Sequence, residues 1–278
     1  MVVKRSPALL LACLVLAGVA LFVRVYGITL RPLWLDEAYS AFAASKDLPY
    51  LWEMVPKYET HPPVYYSMLH GWTRIMGDRL IALRSFGVMG GMLAWVAVLF
   101  AGLALARLLR LDRGQRIRLL LVALAMAALS PPLVEMSREV RPYPWLILAY
   151  GGAIASMLRL ADAQSRGRHI GWGGLLPYLA SVLALLWLHN LGVIYVLGLT
   201  LGGVMALAPW RWSRAEWHKV LLGHVLVVFL WLPGVFILAQ QSHDWIAKTW
   251  LTFNPARVAA TIFDLWAVAD APGLFVAL

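Results

Sequence analysis

The sequence predicts an all-α, polytopic bundle of transmembrane helices: about seven spans and part of an eighth, with amphipathic juxtamembrane helices in a long first outer loop. Three observations carry this. Of 278 residues, 62% are hydrophobic and only 14% charged, and the mean hydropathy is +0.73. A soluble domain of that length has too little interior to hide so much apolar surface, whereas lipid solvates it. The apolar residues fall into runs of about 20, the length that crosses a bilayer as helix. The basic residues cluster in alternate links between those runs.

The first run, 8–30, follows Lys4 and Arg5. It exceeds the apolar core of a signal peptide and lacks a clear small-residue cleavage site, so it reads as a retained helix. Six more runs cover 83–108, 119–134, 143–160, 172–188, 192–208 and 220–239. A weaker segment, 62–76, is short and contains His70 and Arg74. A partial run, 263–278, ends the sequence and predicts the N-terminal portion of a longer protein. Trp34, Trp52, Trp72, Trp172, Trp187, Trp210, Trp212 and Trp217 fall near run boundaries, as an aromatic belt would. The small-xxx-small pairs Gly87/Gly91 and Gly198/Gly202 mark two candidate close helix crossings. Cys13, the sole cysteine, excludes an internal disulfide and any Cys-based zinc site.

Charge decides whether 62–76 crosses. If it does not, and the N-terminus is inside, the inner links are 1–7, 107–118, 159–170 and 209–219. They hold thirteen of the 24 basic residues and three of the 14 acidic ones. The inner links then carry the whole net charge of +10, and the remainder balances. A crossing at 62–76 would put the five arginines of 107–118 outside, against the positive-inside rule. The segment therefore reads as a helix at the outer face, and the surplus positive charge is a topology signal with no nucleic-acid partner implied.

The first outer loop, 31–82, is the informative part. Residues 37–45 and 48–57 read as two short amphipathic helices suited to the membrane surface. Leu35-Asp36-Glu37-Ala38 opens the loop, and Glu59-Thr60-His61-Pro62-Pro63 lies near its middle. Asp36 can be read as a helix N-cap, with Glu37 complementing the helix dipole. Thr60 or His61 can likewise be read as a cap before a proline-led first turn. Both clusters can also be read as chemistry-bearing, since a cap orients a carboxylate.

An Asp-Glu pair just after the first span, followed in the same outer loop by acid-x-His-Pro-Pro, resembles the GT-C membrane glycosyltransferases. It is most similar to the protein O-mannosyltransferases and their bacterial relatives, the aminoarabinose transferases and lipopolysaccharide-core galacturonosyltransferases. The resemblance runs from Leu35 to the span beginning near Leu83, and more weakly through Ser137-Arg138-Glu139-Val140-Arg141-Pro142-Tyr143. It implies that residues 1–278 are a transmembrane catalytic domain. It also implies inverting transfer of a sugar from a polyprenyl-phosphate donor at the outer, periplasmic face. Asp36 maps to the base of such families. Glu59 and His61 map to positions tied to acceptor, metal or donor positioning. Family members are usually longer, with further spans and often an outer soluble domain.

The chemistry is consistent with this set. Inversion needs one base to take the acceptor's proton, and a polyprenyl phosphate leaves as a stable anion without an acid. Developing phosphate charge calls for arginine or a divalent cation. Arg138 and Arg141, beside Glu139 and Tyr143, are the first candidates for that clamp, or they pair with Glu135 and Glu139 or snorkel. Arg84 and Arg24 are further candidates, with structural ion pairing as the other reading. His189, at an outer junction with Asn190, either faces the cavity or turns the chain. His243-Asp244 is a weaker acceptor-binding candidate. Glu37, Glu59 and His61 are candidate ligands for a possible divalent metal. Walker-type, H-E-x-x-H and G-x-S-x-G signatures are absent.

The sequence thus predicts a hexosyl- or pentosyltransferase of the cell envelope, in a bacterial inner membrane with a cytoplasmic N-terminus. Its partners would be the lipid-linked donor, a protein, lipid or glycan acceptor, and membrane lipid. The alternatives are a transporter or lipid flippase, and a non-catalytic membrane scaffold.

Overall fold

The computed structural model describes residues 7–59, 61–248 and 256, and helix is their only extended regular structure. The partial run 263–278 and Thr60 lie outside the described residues, as do the side chains of His243 and Asp244. The chain divides into two compact units, 1–239 and 240–278. The contacts and the site described below belong to the first.

The helices are α1 (Pro7–Val25), α2 (Leu35–Ala44), α3 (Leu48–Glu53), α4 (Val55–Tyr58), α5 (Val64–Met76), α6 (Leu80–Leu108) and α7 (Arg113–Leu129). Then follow α8 (Pro131–Arg138), α9 (Tyr143–Ser165), α10 (Trp172–Leu188), α11 (Gly192–Leu207) and α12 (Arg214–Lys248). Each apolar run read from the sequence within the described residues is mainly helical, although 8–30 leaves the helix at Val25 and 119–134 is broken at Ser130. Among the described residues, three helices are able to cross a membrane by length and apolarity: α6, α9, and α12 as far as Gln241. Helices α7 and α8, bent by 51° at Ser130, make a fourth if counted as one span. The apolar stretches of α1, α10 and α11 have 16 or 17 residues. At 1.5 Å per residue that is about 25 Å, short of a hydrocarbon core of about 30 Å.

The α7–α8 break has a chemical cause. The carbonyls of Ala127 and Ala128 would accept from the amides of residues 131 and 132, which are prolines and have none. Arg24, 1% exposed in α1, supplies the missing donors. Its Nη2 donates to the Ala127 carbonyl at 3.1 Å and its Nη1 to that of Ala128 at 3.3 Å. Its Nε donates to the Ser137 hydroxyl at 3.2 Å. Arg24 therefore joins α1 to both sides of the break.

Helix α6 packs against α8 and α9 through small residues. A Cβ on Gly87 would lie 2.7 Å from the carbonyl oxygens of both Ser137 and Glu139, and one on Gly91 would collide with the Ser137 side chain. The Gly87/Gly91 pair is thus a true close crossing. At the second candidate pair, Gly198 has nothing within 4 Å of an added Cβ, and Gly202 meets only Met157 at 3.8 Å. That pair does not mark a close crossing, because α11 approaches its neighbours elsewhere.

The segment 62–76 forms α5, with 13 residues, too few to cross. Its Tyr65, Tyr66 and Leu69 are fully buried in the main core with Leu83, Phe86 and Leu185. The two amphipathic loop helices become three, because the chain breaks at Met54 ahead of Pro56.

The links between helices sort into two ends. At one, Arg166 donates to the Arg107 carbonyl at 3.3 Å, and the Ile170 amide donates to Glu216 at 2.8 Å. At the other meet residues from the α1–α6 loop, the α8–α9 link and the α10–α11 link.

Candidate functional site

The site lies at this second end, and Glu37 anchors it. Its carboxylate is fully buried. One oxygen accepts from Arg84 Nε and the Val140 amide, both at 3.0 Å. The other accepts from Arg84 Nη2 at 2.7 Å and the Trp34 amide at 3.3 Å. Arg84 also donates to the carbonyls of Ile28, Arg31 and Pro32 at 2.7–3.0 Å, so all five guanidinium donors are engaged. This pair ties the start of α2, the end of the α1 connection and the α8–α9 link to α6. Glu37 and Arg84 therefore act here as scaffold.

The same bond corrects one sequence expectation. The N-cap of α2 is Trp34, and Glu37 reaches back to its amide. Asp36 lies inside the first turn, so the capping reading does not describe it. Its side chain is 39% exposed, against 12% for Glu59 and 0% for Glu37. Arg141, whose side chain is 4% exposed, places Nη2 3.6 Å from the Asp36 carboxylate and Nη1 3.4 Å from the Asp36 carbonyl. Its guanidinium also sits 5.8 Å from the centre of the Tyr143 ring.

Behind Arg141 runs a hydrogen-bonded chain of three side chains. The Leu191 amide donates to His189 Nδ1 at 3.0 Å, so neutral His189 carries its proton on Nε2. That proton points at His61 Nε2, 3.0 Å away. His61 then holds its own proton on Nδ1, 2.7 Å from the Glu59 carboxylate. The network assigns both tautomers without conflict. Burial, with the neighbouring His61 and Arg141, holds His189 down to about 4, so it is neutral at physiological pH. Arg141 Nη2 lies 3.4 Å from His61 Nε2, which links this chain to Asp36. Trp52 and Trp187, edge to face at 5.5 Å, make a second tie between the loop and α10.

Three buried polar atoms around Arg141 have no protein hydrogen-bond partner: its own Nε and the hydroxyls of Tyr65 and Tyr66. Burial raises the ionisation of both tyrosines well above the ordinary range, so both remain donors. Tyr65 and Tyr66 were not singled out from the sequence, and Glu139 was named only as a possible ion-pair partner of the neighbouring arginines. Burial first, then the Glu37 charge, pushes the Glu139 carboxyl up to about 7. The Ser137–Tyr143 run and the tyrosines following His-Pro-Pro were the available signals.

Not every candidate joins the cluster. Arg138 instead donates to the Tyr26 carbonyl at 2.8 Å and pairs with Glu135 at 3.5 Å. Arg24 serves the α7–α8 break. His70 bonds the Ala44 carbonyl at 2.9 Å, and His224 that of Val220 at 2.8 Å, both as packing contacts.

A divalent metal does not fit this arrangement. All four acceptor positions of Glu37 are taken. The His61 and His189 Nε2 atoms face each other across one proton, with the Arg141 cation beside them. Among the described residues no three His, Cys, Asp or Glu side chains gather as a metal site. What the arrangement offers is one partly open carboxylate next to a buried guanidinium, with the unpartnered hydroxyls of Tyr65 and Tyr66 buried nearby. No family model, curated protein or solved structure matches this chain.

Proposed function

We propose that the protein is an integral membrane glycosyltransferase of the GT-C type. It moves a hexosyl or pentosyl unit from a polyprenyl-phosphate donor to an acceptor hydroxyl on a protein, lipid or glycan, with inversion. The observation that carries this reading is the meeting of Asp36 with Arg141, His61 and His189 from three separate links at one end of the bundle.

In this reaction Asp36 takes the proton of the acceptor hydroxyl. The acceptor oxygen bonds the anomeric carbon from the face opposite the leaving group as the bond from that carbon to the phosphate oxygen breaks. The electron pair leaves on the phosphate, and no acid is needed there. Arg141, with its free Nε and the Tyr65 and Tyr66 hydroxyls, supports the growing phosphate charge. The Glu59–His61–His189 chain keeps His61 Nε2 an acceptor facing Arg141, and so keeps the guanidinium turned toward Asp36. Glu37 and Arg84 set the start of α2, and with it the position of Asp36.

Seven crossings follow from counting α1, α7–α8, α10 and α11 as spans beside α6, α9 and α12. The sorting of links into two ends supports this, since the basic links share one end and the Asp36 cluster the other. The N-terminus then faces the cytoplasm and the cluster faces the periplasm of a bacterial inner membrane. A broken helix is also a transporter feature. Here, however, Arg24 fills the carbonyls freed by the break, so they line no ion path. The test is sugar transfer in isolated membranes from a labelled polyprenyl-phosphate sugar. Arg141→Lys should slow turnover sharply while sparing expression, and activity equal to wild type would count against the clamp.

A further inference from the structure

We infer that the cavity beside Arg24, where α1, α6, α7 and α8 meet, binds a single halide ion, chloride in the cell. The inference does not depend on the chemistry proposed at Asp36.

Among the described residues, three arginines are buried: Arg24, Arg84 and Arg141. Arg84 holds the Glu37 carboxylate at 2.7 Å, and Arg141 stands 3.6 Å from that of Asp36. Arg24, 1% exposed, pairs with no carboxylate among the described residues. Its partners are neutral: the carbonyls of Ala20, Ala127 and Ala128, and the Ser137 hydroxyl. These take four of the five guanidinium N–H groups, so one donor of Nη2 is left over. A guanidinium stays protonated in a protein interior, and a buried full charge is costly without a counter-charge.

The fold holds a space for that counter-charge. Arg24 and Ser137 border a cavity with the apolar side chains of Ala94, Val98, Leu133 and Ile147. The centre of a water-sized sphere has about 20 Å³ there. One water needs about 10–15 Å³ on that measure, so a monatomic ion fits and a phosphate or sulfate does not.

The lining favours an anion over water. The Ser137 hydroxyl donates to the Leu133 carbonyl and accepts from Arg24 Nε. The Ala127 carbonyl accepts from Arg24 Nη2. The carbonyls of Ala94 and Val98 in α6, and of Ile147 in α9, lie inside their helices and accept from amides four residues on. A water here would meet a spare donor, but each of these acceptors for its own hydrogens is already engaged, and buried waters make two to four hydrogen bonds. A halide only accepts, and it neutralises the guanidinium. Because Arg24 joins α1 to the α7–α8 break, an ion bound beside it stabilises that joint and the folded chain with it.

The test uses the full chain purified in detergent and exchanged into sodium gluconate, whose anion is too large for the cavity. Chloride or bromide then replaces gluconate at constant ionic strength, and thermal unfolding is followed by near-UV circular dichroism. The melting temperature should rise saturably with chloride and with bromide, and stay level with sulfate. Ala94→Val fills the cavity and keeps Arg24, while Arg24→Gln keeps an N–H donor and removes the charge. Each, if it elutes as wild type does, should abolish the rise. Crystals grown in bromide should show an anomalous peak beside Arg24 Nη2. The wild-type titration and the diffraction need neither variant. No halide dependence in wild type would overturn the inference. A dependence that persists in Ala94→Val would overturn it too, since the ion would then sit elsewhere. So would density in the cavity without an anomalous signal, since water would then occupy it.

Discussion

Arg84→Met isolates the interaction on which the site's geometry depends. The wild-type guanidinium makes five hydrogen bonds, two to the buried Glu37 carboxylate and three to loop carbonyls. Methionine fills much of the volume but leaves Glu37 charged, fully buried and held only by the amides of Trp34 and Val140. Breaking one side of a buried ion pair costs about 3–5 kcal/mol. The carbonyls of Ile28, Arg31 and Pro32 add less, since water reaches part of that turn. Arg84→Met combined with Glu37→Gln should recover most of the loss, because no buried charge then remains, and should stay roughly 1–3 kcal/mol below wild type through the unpaired carbonyls. The assay is equilibrium unfolding in mixed micelles titrated with denaturing detergent, read by near-UV circular dichroism. A single-variant loss under about 1 kcal/mol, or a double variant as unstable as the sum of its parts, would refute the argument.

Three further outcomes follow from the same contacts. Arg24→Leu should cost about 2–4 kcal/mol by stranding the Ala127 and Ala128 carbonyls, and Pro131→Ala with Pro132→Ala should recover part of it by restoring their amides, measured by the same unfolding assay. Gly87→Ala should cost about 1–3 kcal/mol, because the added Cβ meets two backbone oxygens, whereas Gly198→Ala, with nothing nearby, should be neutral. Glu139 has a folded-state value of about 7, above its ordinary 4.5, so its contribution to stability is complete below 4.5 and is lost as pH rises through 7. Glu139→Gln should therefore match wild type near pH 4 and exceed it by about 1–2 kcal/mol above pH 7, after allowance for solvent screening, in unfolding titrations across that range.

The helices were legible because lipid-facing residues must be apolar for about 20 positions at a stretch, a pattern that needs no tertiary information. What composition did not show was the α7–α8 bend, since Pro131-Pro132 reads equally as a span end. The donor that repairs that bend, Arg24, sits more than a hundred residues away. Within the site, Asp36, Glu59 and His61 were visible as short motifs. The roles of Glu37 and Arg84 were not, because a buried ion pair and a substrate clamp use the same side chains and differ only in what surrounds them. His189 could be paired with His61 only once the α10–α11 link was placed beside the loop. Glu139 was visible only as part of the Ser137–Tyr143 run, and Tyr65 and Tyr66 only as the tyrosines after His-Pro-Pro, because their significance is a neighbouring charge or a missing partner that appears only in the folded chain. Asp36 as a cap was a sound local reading that failed because Glu37, one residue on, reaches the Trp34 amide instead.

The central claim is that the open Asp36 carboxylate is the base for transfer of a sugar from a lipid phosphate. A mass profile of surface glycans and glycoproteins, taken with wild type and Asp36→Asn at matched membrane levels, tests it most directly. The amide keeps the size and polarity of the side chain but cannot take the acceptor's proton, so a defined sugar should disappear from the profile. An unchanged profile with Asp36→Asn, alongside a change when the gene is deleted, would contradict the claim and favour a transport role for the bundle.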